Sequence, residues 1–264
     1  MIVFDEKKYA ENLLLNGYKN IKYIGFDNII LVKYWKYLGL QEDEIIIKLK
    51  DFMISFQDLY SIDTSNSKID NAIKIGMQYD LSTDIDVQIN NKEIELINTL
   101  ETIELKKMMF ILLLVWKFRG KPKRFKLNNI DLLRLSEVKV NNNVFWDYIN
   151  EITKSQMLSM IAYQNKDYYT INFDLESEDN IDNKVVFCIN NFNNPIYYYM
   201  SLIEPEKYKT CEECGVVIKV TSNNIKFCKD CWKEIREQQS RDKALRYYHK
   251  TKKLYHLEIT NKPL

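Results

Sequence analysis

Glycine and proline are scarce in this chain, with 6 and 4 among 264 residues. So few turn-formers argue against a fold of many short strands and tight turns, and for long helices. Histidine is scarcer still. His249 and His256 are the only two, both near the C-terminus, which excludes a histidine-based catalytic triad in the main body. No phosphate-cradling Gly-rich loop, dinucleotide glycine fingerprint or His-Glu-x-x-His helix is present, and the reading is that the chain is not an enzyme. The acidic run Asp80–Asp86 reads as a solvated loop rather than a site for metal-assisted phosphoryl chemistry. Long apolar runs are missing too. The longest, Met108 to Trp116, lies between Lys106-Lys107 and Lys117-Phe118-Arg119 and is too short for a membrane span, so it predicts a buried helix. The opening residues lack the basic and apolar regions of a signal peptide, and a cytoplasmic home is expected.

What is present is apolar bulk: 46% of residues are hydrophobic, with 18 Tyr and 12 Phe. That is enough for one ordinary core and a second small module. The expected fold is mainly α with small β. Residues 1–60 form a helical unit, in which Gln41-Glu42-Asp43-Glu44 places acids at a helix start before Ile45, Leu49, Phe52, Met53 and Phe56. The aromatic richness of these helices predicts a self-association face and hence a homodimer. Residues 61–92 are rich in Ser, Asp and Asn and read as a polar connector with one short helix and a strand.

Residues 93–206 carry the order of a winged helix. One long helix runs from Glu93 through Leu96, Leu100, Ile103, Met108, Ile111, Leu112, Val115 and Trp116 to Gly120. A short strand at 124–127 follows, then a helix through Ile130, Leu132, Leu133 and Leu135. A third helix, N-capped by Asn143, has Phe145, Ile149 and Ile152 on one face. Two β-rich runs around residues 164–167 supply the hairpin wing. In DNA-binding versions the third helix reads bases; here it carries Asp147 and Glu151 against Lys154, a poor composition for phosphate contact. Beyond the hairpin, Val185 to Ile189 reads as a buried strand with Cys188 in the core. Glu204 to Lys209 reads as the domain boundary.

Residues 207–264 hold the strongest signal. Cys211 and Cys214 flank two residues, as do Cys228 and Cys231, and thirteen residues separate the pairs. Such knuckles aim paired thiolates at one cation, and two of them complete a closed tetrahedral site, so structural Zn2+ is the expected cofactor. The expected form is a zinc ribbon or treble clef, with residues 216–220 and 225–227 as its strands. Four thiolates leave no open position for catalysis, and no histidine lies between the pairs to support nuclease chemistry. Two disulfides would demand an oxidising compartment.

After Cys231 a helix-forming, cation-rich stretch begins. From Lys207 onward there are fourteen Lys and Arg against seven Asp and Glu, a net of +7, whereas residues 1–206 carry 24 against 30, a net of −6. Lys233, Arg236, Arg241, Lys243, Arg246, Lys250, Lys252 and Lys253, with Tyr247 among them, are the candidate contacts to DNA or RNA. A solvated helix with internal pairs such as Glu237 to Arg241 is the competing reading. The apolar stripe of Trp232, Ile235, Leu245 and Tyr248 is too thin for membrane insertion.

The stretch "CEEC", thirteen residues, "CKDC" and a basic tail with "RYYHK" resembles the C-terminal zinc-ribbon appendages of small proteins from phages and mobile elements of low-GC Gram-positive bacteria. The resemblance covers about the last 50 residues and implies a nucleic-acid partner in a bacterial cytoplasm. The expected function is therefore a zinc-stabilised DNA-binding regulator or replication accessory factor. The alternative is a phage protein-interaction factor whose acidic body captures and inhibits a host or defence protein.

Overall fold

The computed structural model describes residues 2–18, 20–56, 66–83, 86–163, 166–173, 184–222 and 224–260. It is mainly helical with small antiparallel sheets, and it divides into two compact units, Met1–Asn193 and Asn194–Leu264. The division falls before the segment Glu204–Lys209 read as a boundary.

The first unit opens with α1 (Glu6–Asn16), α2 (Ile24–Tyr37), α3 (Glu42–Ser55) and α4 (Asn66–Gln78). Asp5 caps α1 by accepting from the Lys8 amide at 2.8 Å, and Gly17, at a φ of 72°, ends it. A capping box of Gln41 and Glu44 starts α3. These helices enclose Leu13, Tyr18, Ile30, Leu31, Val32, Trp35, Ile45, Leu49, Met53, Ile69 and Ile73 in one core. The segment read as connector therefore contributes α4, which packs on α2 and α3 through Ile69, Ala72 and Ile73.

Strand β1 (Val87–Asn90) leads directly into α5 (Asn91–Asn98), and then come α6 (Ile103–Phe118), α7 (Asn129–Ser136) and α8 (Asn142–Lys154). The single long helix expected from Glu93 to Trp116 is thus two. The Thr102 hydroxyl accepts from the Leu105 amide and starts α6 afresh. The cap of α8 is Asn141 rather than Asn143, accepting from the Val144 amide at 3.0 Å. Every residue from Met108 to Val115 is fully buried, so α6 is apolar all round because neighbours cover every side of it. α5, α7, α8 and β1 all pack on it. Among the described residues no helix is long and apolar enough to cross a membrane.

β2 (Leu158–Tyr163) and β3 (Lys166–Ile171) form an antiparallel hairpin after α8. The segment expected as a strand at 124–127 contributes one bridge, Phe125 to Tyr169 on β3. β4 (Val185–Ile189) returns to pair with β1, placing Ile189 opposite Val87 and Cys188 opposite Gln88. The expectation that Cys188 is core is corrected by this register. β4 lies in a two-stranded sheet with one covered face; Ile189 and Val87 occupy it, and Cys188 is exposed beside Gln88. Phe4, Phe118 and Phe192 stack as a ring cluster that ties the N-terminus to α6.

The second unit consists of α9 (Ile196–Ile203), β5 (Tyr208–Thr210), β6 (Val217–Lys219) and α10 (Lys229–Thr260). α9 packs on the β5–β6 hairpin, burying Ile196, Tyr198, Tyr199 and Met200 with Tyr208, Val217 and Ile218. Burial raises the Tyr199 phenol pKa to about 12.

Candidate metal centre and nucleic-acid interface

The β5–β6 hairpin exists to present the first cysteine pair. Cys211 follows β5 directly, its amide donates to the Val216 carbonyl at 2.8 Å, and the Gly215 amide closes the turn on the Cys211 carbonyl at 3.0 Å. Gly215 takes a φ of 70°, a left-handed conformation that glycine adopts without penalty. The strands thus flank the first knuckle, and the expected second strand at 225–227 is not one. That segment instead runs beside the knuckle, with its Lys226 carbonyl accepting from the Glu212 amide at 3.1 Å. Cys228 immediately precedes α10, and Cys231 lies in the first helical turn, so the helix start fixes the second pair.

These elements bring the four expected ligands together: the Sγ atoms of Cys211, Cys214, Cys228 and Cys231 lie within 4.8 Å of one another. A tetrahedral zinc with bonds of about 2.3 Å needs sulfurs about 3.8 Å apart. Cys214 and Cys228 stand at that separation, 3.8 Å, nearly twice the length of a disulfide bond, and all four cysteines are free thiols. The Cys228 amide points at the Cys211 sulfur at 3.2 Å and the Cys231 amide at the Cys228 sulfur at 3.4 Å. Donors aimed at sulfur suit thiolates better than thiols, so the residues fit a closed four-thiolate zinc site.

The thiols of this cluster are strongly inequivalent. Burial opposes ionisation of Cys211, but the amides of Cys214, Cys228 and Glu213 outweigh it and draw its pKa down to about 6. Cys231 is pushed up, first by its bond with Cys228 and then by burial, and burial also raises Cys214. One negative charge is welcome in so small a space and four are not; a dication would remove that conflict by supplying the opposite charge.

α10 carries the cationic residues away from this anchor. Lys233, Arg236, Arg241, Lys243, Arg246 and Tyr247 are all exposed. Two of them form pairs on the helix itself, Lys233 with Glu237 at 4.0 Å and Arg241 with Glu237 at 3.8 Å. Exposed pairs of that length contribute little and leave both side chains free to exchange partners. Arg236, Lys243 and Arg246 have no ion-pair partner among the described residues. Lys250, Lys252 and Lys253 lie within α10, but their side chains fall outside the described residues. Trp232 stacks nearly parallel to Phe227 at 6.3 Å, packing the helix base against the knuckle.

No protein-family model, curated protein or solved structure matches this chain.

Proposed function

We propose that the chain is a zinc-stabilised DNA-binding protein, a regulator or replication accessory factor of the kind phages and mobile elements carry. The carrying observation is the joint: a four-cysteine cluster whose last ligand lies in the first turn of a 32-residue helix with exposed Lys233, Arg236, Arg241, Lys243 and Arg246. In this reading zinc holds a treble-clef-like knuckle rigid and does no chemistry. The helix it anchors neutralises phosphates, releasing counterions, while Tyr247 offers a stacking face.

The order α6, bridge at Phe125, α7, α8 and β2–β3 hairpin supports a winged-helix reading of the first unit. On α8 the exposed residues include Asp147, Glu151 and Lys154, a mixed face that favours a protein contact there over phosphate.

The test is fluorescence anisotropy of a labelled DNA duplex across a salt series, using the full chain and the variant Arg236→Gln, Arg241→Gln, Lys243→Gln, Arg246→Gln. Each lost phosphate contact lowers the log-affinity against log-salt slope by about 0.9, so the variant should lose about 3 to 4. Duplex binding that is equal in both proteins, or absent in the wild type, overturns the reading. The second of those results would favour capture of a protein partner by the acidic first unit.

A further inference from the structure

We propose that the loop and strand from Lys121 to Lys126 form a second phosphate-binding surface for duplex DNA, on the first unit and separate from α10. Residues 117–126 contain six cations and no acid, whereas the rest of residues 1–193 carries eighteen Lys and Arg against twenty-eight Asp and Glu. An acidic body repels a polyanion over most of its surface. A cation-rich segment on such a body therefore favours approach from its side.

The six cations divide into two kinds. Lys117 is spent within the fold, paired with the buried Glu93 carboxylate, and Arg119 donates to the Lys126 carbonyl across the base of the loop. Lys121, Lys123, Arg124 and Lys126 are exposed, and none has an ion-pair partner among the described residues. Phe125 and Leu127 are buried between and beyond them, so the alternation of a short extended segment turns Arg124 and Lys126 outward together.

This loop is held rather than loose. Trp116 Nε1 donates to the Pro122 carbonyl at 3.0 Å, the Lys121 amide returns to the Trp116 carbonyl at 3.0 Å, and Phe125 exchanges both backbone hydrogen bonds with Tyr169. Lys126 lies over the Tyr168 ring at 4.6 Å. Lys121 itself sits at a φ of 57°, directly after Gly120 at 75°. Two successive left-handed residues, one with a long side chain, are an unfavoured way to leave a helix, and such outliers gather at binding surfaces. A loop whose backbone is already held loses little main-chain freedom on meeting a phosphate, which favours binding by preorganisation. No exposed large apolar residue lies in the patch to anchor it in a bilayer, and the net negative unit around it disfavours an anionic membrane.

The inference rests on the DNA-binding reading for its ligand, and the experiment separates the two. Duplex anisotropy is measured across salt for the wild type, the α10 variant above, and the full chain with Lys121→Gln, Lys123→Gln, Arg124→Gln and Lys126→Gln. A charge-conserving control carries Lys123→Arg, Arg124→Lys and Lys126→Arg, and melting curves establish that each variant folds. The loop variant should lose about 3 from the salt slope while the control keeps the wild-type value. A loop variant with the wild-type slope beside an α10 variant with a reduced one overturns this inference and leaves the α10 reading standing. The reverse pattern supports the loop surface and removes α10. No duplex binding by the wild type overturns both, and so does an unchanged slope in both variants. If the loop variant keeps duplex binding but loses binding to phosphatidylserine vesicles or to a poly-glutamate peptide, the surface serves another anion and the inference fails.

Discussion

Asp27 is a costly residue in the first unit. It is 2% exposed, accepts from the Tyr9 hydroxyl at 2.8 Å and has no cation paired with it among the described residues. Beside it the Tyr18 hydroxyl donates to Asn28, whose amide reaches the Met53 sulfur. Burial pushes the Asp27 pKa from 3.8 up to about 6, with the Tyr9 hydrogen bond holding it partly down, and both phenols are raised in turn. A folded-state pKa above the unfolded value means the folded state holds a proton that the unfolded chain has released between about pH 4 and 6. Stability from this group is therefore full below pH 4 and is lost as pH rises through 6, by up to about 3 kcal/mol. Asp27→Asn keeps an acceptor for Tyr9 and removes the charge. It should melt about 5 °C above the wild type at pH 7.5 and level with it at pH 4; equal pH dependence in the two proteins would disprove the assignment. Residues of this kind are illegible in sequence, because Asp27 stands in an ordinary helical stretch and only packing shows that it is enclosed. The cysteines are the opposite case. Their spacing alone selects four ligands, since the turn between paired cysteines is local, while Cys188 was misread because its face depends on a partner strand about 100 residues away.

Helices were legible wherever a periodic apolar face coincided with a local stop signal, as in α3, α7 and α8, since caps and turns act within a few residues. Their pairings were not. β1 and β4 carry no mark of each other, and Thr102 breaks α5 from α6 without a Gly or Pro. The contact of α4 with α2 belongs to the same class. A Cβ at Gly76 would lie 2.5 Å from Val32 Cγ1, 2.6 Å from Val32 Cβ and 3.1 Å from the Ile29 carbonyl oxygen. Val32 is fully buried, and its Cβ cannot rotate away; a β-branched side chain in a helix also has one strongly preferred rotamer. Gly76→Ala would gain up to about 1 kcal/mol in helix propensity but must push α4 off α2, an overpacking cost of about 1 to 3 kcal/mol. Urea denaturation should show a net loss of up to about 2 kcal/mol, and Val32→Ala in the same chain, which removes Cγ1 but keeps the Cβ 2.6 Å away, should relieve only part of the clash. A Gly76→Ala protein more stable than the wild type would show that the helices are not in close contact there.

At the scale of the whole chain the two units have different sources of stability. The first has one buried apolar cluster among α1–α4 and a second region around α6, where eight successive residues from Met108 to Val115 are fully buried. The second has α9, a three-residue-per-strand hairpin and the base of α10, whose side chains described up to residue 248 are mostly exposed. So little apolar burial does not normally hold a fold, and a metal held by the four clustered cysteines would supply what the core lacks. The charge asymmetry between the units was legible from composition, because counting needs no partner, whereas the expectation that one unit depends on metal follows from how little it buries. Zinc removal should therefore act on one unit only. Calorimetry of the full chain with zinc is expected to show two transitions; excess EDTA should abolish the second unit's transition and move the first by no more than about 2 °C. Cys214→Ser should reproduce the chelator's effect with zinc present, because the exposed sulfur is a candidate ligand and packs against little else. The duplex binding proposed for α10 should fall with the lost transition, since a helix whose first turn is no longer pinned at Cys228 and Cys231 loses its anchor, and readded zinc should restore both together. A melting profile indifferent to EDTA, with no zinc released on unfolding, would mean that the four thiols hold the knuckle without a metal.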